Sequence, residues 1–126
     1  MGKWQNDDML DAALNYVADN GSQIDITSDS STPVDLANSL ASTSLTTGDG
    51  NGDYTVQTGD SSGRKLTIAE QADIGVSTSG TARHVVISDG GSSATLYLVT
   101  TCTEQSLTSG NTVTIPSWDD EIADAS

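Results

Sequence analysis

Short segments in which apolar and polar residues alternate recur along most of the chain, with Gly- and Ser-rich turns between them. Alternation with a period of two, broken by turn residues about every ten positions, is typical of antiparallel strands. Besides a short strand at Ile24 and Ile26, strands are predicted near residues 43–47, 54–58, 64–69, 74–77, 83–88, 94–102 and 112–115. The pattern predicts a mainly β fold with a single antiparallel β-sandwich-like domain.

The stretch from Gly80 to Ile122 carries this pattern most strongly. Runs rich in β-branched residues occupy 80–87, 96–103 and 110–119, and Gly-containing turns separate them. We expect three consecutive strands that pair antiparallel in a meander or a sandwich. No cluster of acid, base and nucleophile lies among them, which favours a structural element over a catalyst.

One segment near the start follows a helical period instead. Asp7 or Asp8 can cap a helix, and Asn20-Gly21 is a typical stop. Between them, apolar residues recur at helical spacing at Met9, Leu10, Ala13, Leu14 and Val17. The pattern predicts one amphipathic helix over residues 7–20, whose apolar stripe either packs across a sheet of its own domain or docks on another subunit.

Two shorter features complete the predicted organisation. Thr32-Pro33-Val34-Asp35 places a cap, a first-turn proline and an acid in helical order, which predicts a brief helical turn through Leu40. The acidic end of the chain is expected to be a peripheral tail. We therefore predict one domain over residues 1–126, with an arm and helix at 1–21, a β-domain at 22–118 and the tail at 119–126.

The core of this domain is expected to be thin. Aromatic residues make up only 4% of the chain and Phe is absent, whereas Ser and Thr exceed a quarter of it. Thr suits a half-buried pleated surface, but a large aromatic would bury about 150–250 Å². We expect the protein to gain stability from neighbouring subunits, as a homo-oligomer.

The charge is strongly unbalanced: 18 acidic and 4 basic residues give a formal net charge of −14. Nucleic-acid binding requires Lys and Arg to neutralise phosphates, so neither nucleic acid nor an anionic membrane is an expected partner. A basic protein partner is favoured.

No apolar run approaches the ~20 residues of a membrane span, and no signal peptide is evident, so a soluble protein made in the cytoplasm is expected. Cys102 is the only cysteine, which excludes an intrachain disulfide.

The segment Gly59-Asp60-Ser61-Ser62-Gly63 matches the G-x-S-x-G pattern of hydrolases. That motif requires a strand before it and a helix after it. Here the following residues, 64–68, alternate like a strand, and His84 is the only histidine. A hairpin turn is the better interpretation. We expect no enzymatic activity, no catalytic residue and no cofactor.

The segment Asp49-Gly50-Asn51-Gly52-Asp53 resembles the opening of a calcium loop. Tyr54 stands where that loop requires Gly, and no flanking helices are predicted. Asp49, Asn51 and Asp53 are therefore a weak calcium candidate, and a loop joining two strands is the preferred interpretation.

Trp4 and Trp118 lie near opposite ends of the chain. Trp is enriched among the anchoring residues of protein interfaces. Each of these residues either covers an edge of the domain core or anchors a partner. The predicted interface therefore consists of Trp4, Leu10, Leu14, Val17 and Trp118.

Several blocks of the sequence are familiar when taken together. They are DDMLDAALNY at 7–16, GDSSGRKLT at 59–67, SGTARHV at 79–85 with LYLVTTC at 96–102, and LTSGNTVTIPSWD at 107–119. In these blocks the chain resembles a family of small virion structural proteins encoded by tailed bacteriophages and prophages. The resemblance covers nearly the whole chain, except for a variable loop at 48–53.

The resemblance implies a virion component and carries no catalytic residues. Repulsion between a −14 protein and packaged DNA disfavours a position against the genome. We expect a capsid decoration (cement) protein that binds the major capsid protein on the outer lattice and stabilises the head. A tail, neck or fibre-base component is the alternative, and a ligand-binding β-sandwich module is a further one.

Overall fold

The computed structural model describes residues 5–31, 34–90 and 93–122. Within these ranges the chain forms one α-helix, α1 (Asp7–Asn20), one short 3-10 helix at Leu36–Asn38 and nine strands. The strands are β1 (Gln23–Thr27), β2 (Ser39–Ser44), β3 (Tyr54–Thr58), β4 (Arg64–Ile68), β5 (Gln71–Gly75), β6 (Gly80–Ser88), β7 (Leu96–Leu107), β8 (Thr112–Ile115) and β9 (Trp118–Ile122). All strand pairs within the sheets are antiparallel. The predicted fold class, mainly β with one helix, is confirmed.

The chain is divided between two compact units. Of the described residues, the first contains 5–20, 46–70 and 116–122, and the second contains those within 21–45 and 71–115. The β-domain predicted over residues 22–118 is therefore distributed over both units, since the chain passes from one to the other several times.

Helix α1 belongs to the first unit and has the predicted bounds. Its first turn is capped by Asn6, whose Oδ1 accepts a hydrogen bond of 2.8 Å from the backbone N–H of Asp8. The cap thus lies one residue before the predicted pair, because an Asn side chain satisfies a free N–H of the first turn equally well. Among the residues that the structure describes, no helix is long and apolar enough to cross a membrane.

The sheet of the first unit has the strand order β3-β4-β9. One row of opposed residues runs through Tyr54, Ile68 and Trp118, and the next runs through Val56, Leu66 and Asp120. Tyr54, Leu66 and Ile68 are fully buried, and α1 packs against β3 and β4. The expectation of a peripheral acidic tail is wrong for residues 119–122, which form β9 together with Trp118.

The second unit contains a sheet of order β2-β1-β6-β7 and the smaller pair β5-β8. Its core consists largely of aliphatic side chains from β1, β2 and β6. Of the three runs between residues 80 and 119, only β6 and β7 pair with each other as expected. Strand β8 pairs with β5, and β9 pairs with β4, so the predicted succession of neighbours ends after the first pair.

The helical turn predicted before Leu40 exists but is capped by a different residue. Asp35 Oδ1 accepts a hydrogen bond of 2.9 Å from the N–H of Ala37, and the 3-10 helix follows. Thr32 and Pro33, which were expected to begin the turn, lie outside the described residues. The turn ends at Asn38, so β2 begins at Ser39 and not near residue 43.

Candidate functional site

Three residues of the predicted interface are buried within their own unit. Leu10, Leu14 and Val17 have relative exposures of 4%, 1% and 8%. They form the stripe with which α1 packs on the sheet of the first unit. Of the two interpretations of the helix, packing within its own domain is the one observed. The alternative, in which these side chains dock on another subunit, does not hold, because the sheet of their own unit already covers them.

Of the two tryptophans in the predicted interface, the structure describes only one. Trp4 lies outside the described residues. Trp118 is half-buried at the start of β9, opposite Ile68. Its Nε1 atom is buried and finds no hydrogen-bond acceptor in the described part of the chain. Trp118 is therefore partly covered by its own unit and stays partly accessible.

The loop with calcium-like spacing uses its polar side chains to hold its own backbone. Asp49 Oδ1 accepts from the N–H of Val56 at 2.8 Å, and Asp53 Oδ2 accepts from the N–H of Thr46 at 2.6 Å. Asn51 Nδ2 donates to the carbonyl of Thr47 at 2.9 Å. Within residues 5–31, 34–90 and 93–122, no group of three His, Cys, Asp or Glu side chains could hold a metal ion. The preferred interpretation, a loop that joins two strands, fits these contacts.

The G-x-S-x-G segment is a hairpin turn between β3 and β4, as predicted. The N–H of Gly59 donates to the carbonyl of Gly63 at 3.0 Å, and Gly63 has a φ of 69°. A Cβ atom at Gly59 would lie 2.2 Å from the backbone oxygen of Ser62, so the turn requires glycine there. Ser61 is exposed at the tip and is followed by a strand, which is not the geometry of a nucleophile elbow.

The exposed face of the sheet β3-β4-β9 is a continuous polar network. Thr67 lies at its centre: its Oγ1 accepts from Gln57 Nε2 at 2.7 Å and donates to Asp119 Oδ1 at 2.8 Å. Lys65 Nζ lies 2.7 Å from Asp60 Oδ1 and 3.4 Å from Asp119 Oδ2. These bonds connect all three strands, and they explain why an acidic segment is held as β9.

The opposite face of this sheet contains a carboxyl group in an unfavourable environment. Asp120 is half-buried opposite the fully buried Leu66. Burial raises the pKa of Asp120 above its ordinary value, because the charged form loses hydration. On the same face, Arg64 Nε donates to Asp11 Oδ1 at 2.7 Å and so joins β4 to α1.

The second unit buries several polar side chains on one face of β1 and β6. Asp25 is only 3% exposed and accepts hydrogen bonds from Gln23 Nε2 at 2.7 Å and from Ser39 Oγ at 2.6 Å. His84 is buried, and its Nδ1 lies 2.7 Å from the carbonyl oxygen of Asp29, to which it can only donate. The Oγ1 atom of Thr27, opposite His84, is buried without a partner among the described residues. These contacts make the cluster part of the scaffold.

The outer edges of the sheets are protected in different ways. The edge of β2 is capped at its first residues, because Ser77 and Thr78 donate their N–H groups to the carbonyl of Leu40 and Ala41 forms a bridge with Val76. The edge of β3 is covered by the 48–53 loop, where the N–H of Gly50 donates to the carbonyl of Tyr54 at 2.8 Å. The edge strand β9 carries three consecutive carboxylates, at 119–121.

Strand β7 is the other edge strand of the sheet β2-β1-β6-β7, and from residue 98 onward no described segment caps its outer edge. Beyond its pairing with β6, residues 98–107 make no backbone hydrogen bond with any other described segment. Glu104 is the only charged residue between Asp89 and Asp119. Val99 is 38% exposed, and burial raises the pKa of the Cys102 thiol, which favours its protonated, unreactive form. This open edge was not foreseen, since strand alternation reveals a strand but not its neighbours.

Comparison with known proteins gives no relative: no family model, no curated protein and no solved structure matches the chain.

Proposed function

We propose that the protein is a non-enzymatic virion structural protein of a tailed bacteriophage, a capsid decoration protein that binds the outer coat lattice. One observation carries the proposal: the side chains that could take part in catalysis or metal binding are used to hold the fold together. Asp25, Asp49, Asp53, Lys65 and His84 each bond to the chain itself and hold backbone or strands in place. Side chains used in this way are typical of a structural protein, which acts through its surface and not through catalysis.

The resemblance of four sequence blocks to phage virion proteins supports the particle as the location. The blocks cover the start of α1, the turn after β3 with most of β4, parts of β6 and β7, and the segment from the end of β7 into β9. They therefore fall in both units.

The distribution of charge supports an outer position and a basic patch on the coat as the partner. The exposed face of β9 presents Asp119 and Glu121, and the exposed hairpin tip beside it presents Asp60. A net charge of −14 is repelled by packaged DNA and attracted to a basic protein surface. The major capsid protein is the proposed partner.

Stabilisation of the shell follows from linkage. A protein that binds the assembled lattice better than broken or unexpanded states shifts the equilibrium toward the lattice, and many copies add their contributions. Each copy can therefore bury only a modest interface and still raise the stability of the head.

The test uses heads assembled without this protein, purified tails as the control, and the purified chain. We expect saturable co-sedimentation with heads, weakening as salt rises because the contact is charge-dependent, and a higher temperature of head disruption at saturation. Binding to tails with none to heads would contradict the decoration role and support the tail or neck alternative. Binding to neither would contradict both.

A further inference from the structure

We propose that the outer edge of β7 is a self-association surface, on which a second copy of this chain adds its own β7 as an antiparallel strand. The inference does not rest on the decoration role, because it concerns the free protein in solution. It follows from the contrast between β7 and the edges of β2, β3 and β9, and from the charge of the molecule.

A strand edge exposes a row of N–H and C=O groups that can pair with another strand. Natural proteins protect such edges with a covering segment, with charge or with proline. The edge of β2 is capped at Leu40 by residues 77 and 78, that of β3 is covered by the 48–53 loop, and that of β9 carries three carboxylates. Strand β7 contains no proline and no lysine, residues 98–101 carry no charge, and no described segment outside β6 forms a backbone hydrogen bond with them.

The regular part of β7 has the geometry that a further strand requires. Residues 98–101 pair in unbroken register with residues 87–84 of β6. The register shifts at both ends of that segment, since Ser88 pairs with Leu96 but Ile87 with Leu98, and Ala82 pairs with Gln105 but His84 with Thr101. These two irregularities limit pairing on either side, so the added strand is placed along 98–101.

The composition of this segment also favours a partner that covers it. Leu96, Leu98 and Val99 are only partly buried, although their pairing partners on β6 are fully buried. The sequence LYLVTT has high strand propensity and carries no charge. An uncovered edge of this kind is prone to uncontrolled association, which a closed pair prevents.

The charge identifies a second copy as the occupant. Two molecules that each carry −14 repel one another on most approaches, but the region between Asp89 and Asp119 has one charged residue. A basic partner would gain little from this neutral strand and more from the acidic faces elsewhere. An identical strand meets no like charge along 98–101, and antiparallel pairing about a two-fold axis makes the interface self-complementary.

The experiment is sedimentation equilibrium over a concentration series for the full chain and two lysine variants. Thr101→Lys places a charge on the exposed edge strand β7, and Ser42→Lys makes the matched change on β2, the other edge strand of the same sheet. Both side chains are exposed, so both variants are expected to fold, which circular dichroism checks. Each variant also lowers the net negative charge equally, which controls for long-range repulsion.

We expect the unmodified chain to form a dimer, Thr101→Lys to raise the dimer dissociation constant at least about tenfold, and Ser42→Lys to leave it unchanged. Backbone amides of 98–101 should exchange more slowly in the dimer than in the Thr101→Lys monomer. A chain that is monomeric at every concentration would overturn the proposal. Equal dimerisation of all three proteins, or equal weakening by both lysines, would overturn the assignment to β7.

Discussion

In the sheet β3-β4-β9, polar side chains on the exposed face bond to one another across all three strands, whereas in the sheet β2-β1-β6-β7 several polar side chains are buried. Thr67 and Thr27 illustrate the difference. The hydroxyl of Thr67 both accepts and donates a hydrogen bond, while that of Thr27 is buried without a partner among the described residues. The same functional group therefore joins strands in one sheet and carries a desolvation cost in the other.

The two sheets also differ in how their buried faces are covered. Helix α1 packs on the sheet of the first unit, and its stripe supplies much of the apolar surface there. In the second unit the apolar surface comes mainly from the strands themselves, including Ile24, Ile26, Val85 and Ile87. We therefore expect the first unit to depend on a few helix side chains and the second on none of them.

The largest predicted effect comes from truncating that stripe. Leu14 is 1% exposed, so Leu14→Ala should lower the free energy of unfolding of the first unit by about 2–5 kcal/mol, through lost burial and a cavity. Denaturant unfolding gives the total loss, and amide exchange shows where protection falls. The control is Met9→Ala, whose side chain is 56% exposed and should cost little. Equal loss of protection in β1 and β6 would show that the two units do not differ in this dependence.

The elements that could be predicted from the sequence are those set by local periodicity and turn chemistry. The bounds of α1, β3 and β8 follow from apolar spacing bounded by Gly, Asn or Asp. Strand β9 was not predicted, because its strongest contacts are polar bonds to Lys65 and Thr67, more than fifty positions earlier in the chain. The division into two units was missed for the same reason: it depends on which distant strands pair.

The candidate surfaces were predictable to a smaller extent. The spacing of Leu10, Leu14 and Val17 identifies an apolar stripe, but only the fold shows that its own sheet covers it. The open edge of β7 depends on sheet order, and a single sequence does not carry that order. The neutrality of the region around β7 is visible in the sequence, but it gains meaning only once the strand is known to lie at an edge.

An intermediate effect is expected from removing the two threonine hydroxyls that distinguish the sheets. Thr67→Val breaks two hydrogen bonds and should destabilise the protein by about 1 kcal/mol. Thr27→Val removes a buried hydroxyl without a partner and should be neutral or stabilising by up to about 1 kcal/mol. Chemical denaturation of both variants measures the contrast. Thr55→Val, at an exposed position on the same face as Thr67, is the control and should change little. Destabilisation of similar size at Thr67 and Thr27 would remove the distinction between the sheets.

The smallest predicted effect is a pH-dependent difference in stability between variants on the two faces of β9. Asp119 accepts bonds from Thr67 and Lys65 on the exposed face, whereas Asp120 lies half-buried on the other face with a raised pKa. A raised folded-state pKa means that protonation favours folding, so the contribution of Asp120 is most favourable below its unfolded pKa and is lost as the pH rises through its folded pKa. At neutral pH its charge is therefore a net cost, reduced by solvent screening because the group is only partly buried.

Asp120→Asn should accordingly raise the melting temperature slightly at pH 7, and the gain should shrink as the pH falls through the acidic range in which the carboxyl becomes protonated. Asp119→Asn is the matched control on the adjacent residue, and it should lower the melting temperature at pH 7 because it weakens accepted bonds. Thermal melts of both variants across the acidic range make the comparison. A lower melting temperature at pH 7 for Asp120→Asn as well would contradict this prediction. It would show that the carboxylate of Asp120 stabilises the fold as that of Asp119 does, despite its burial.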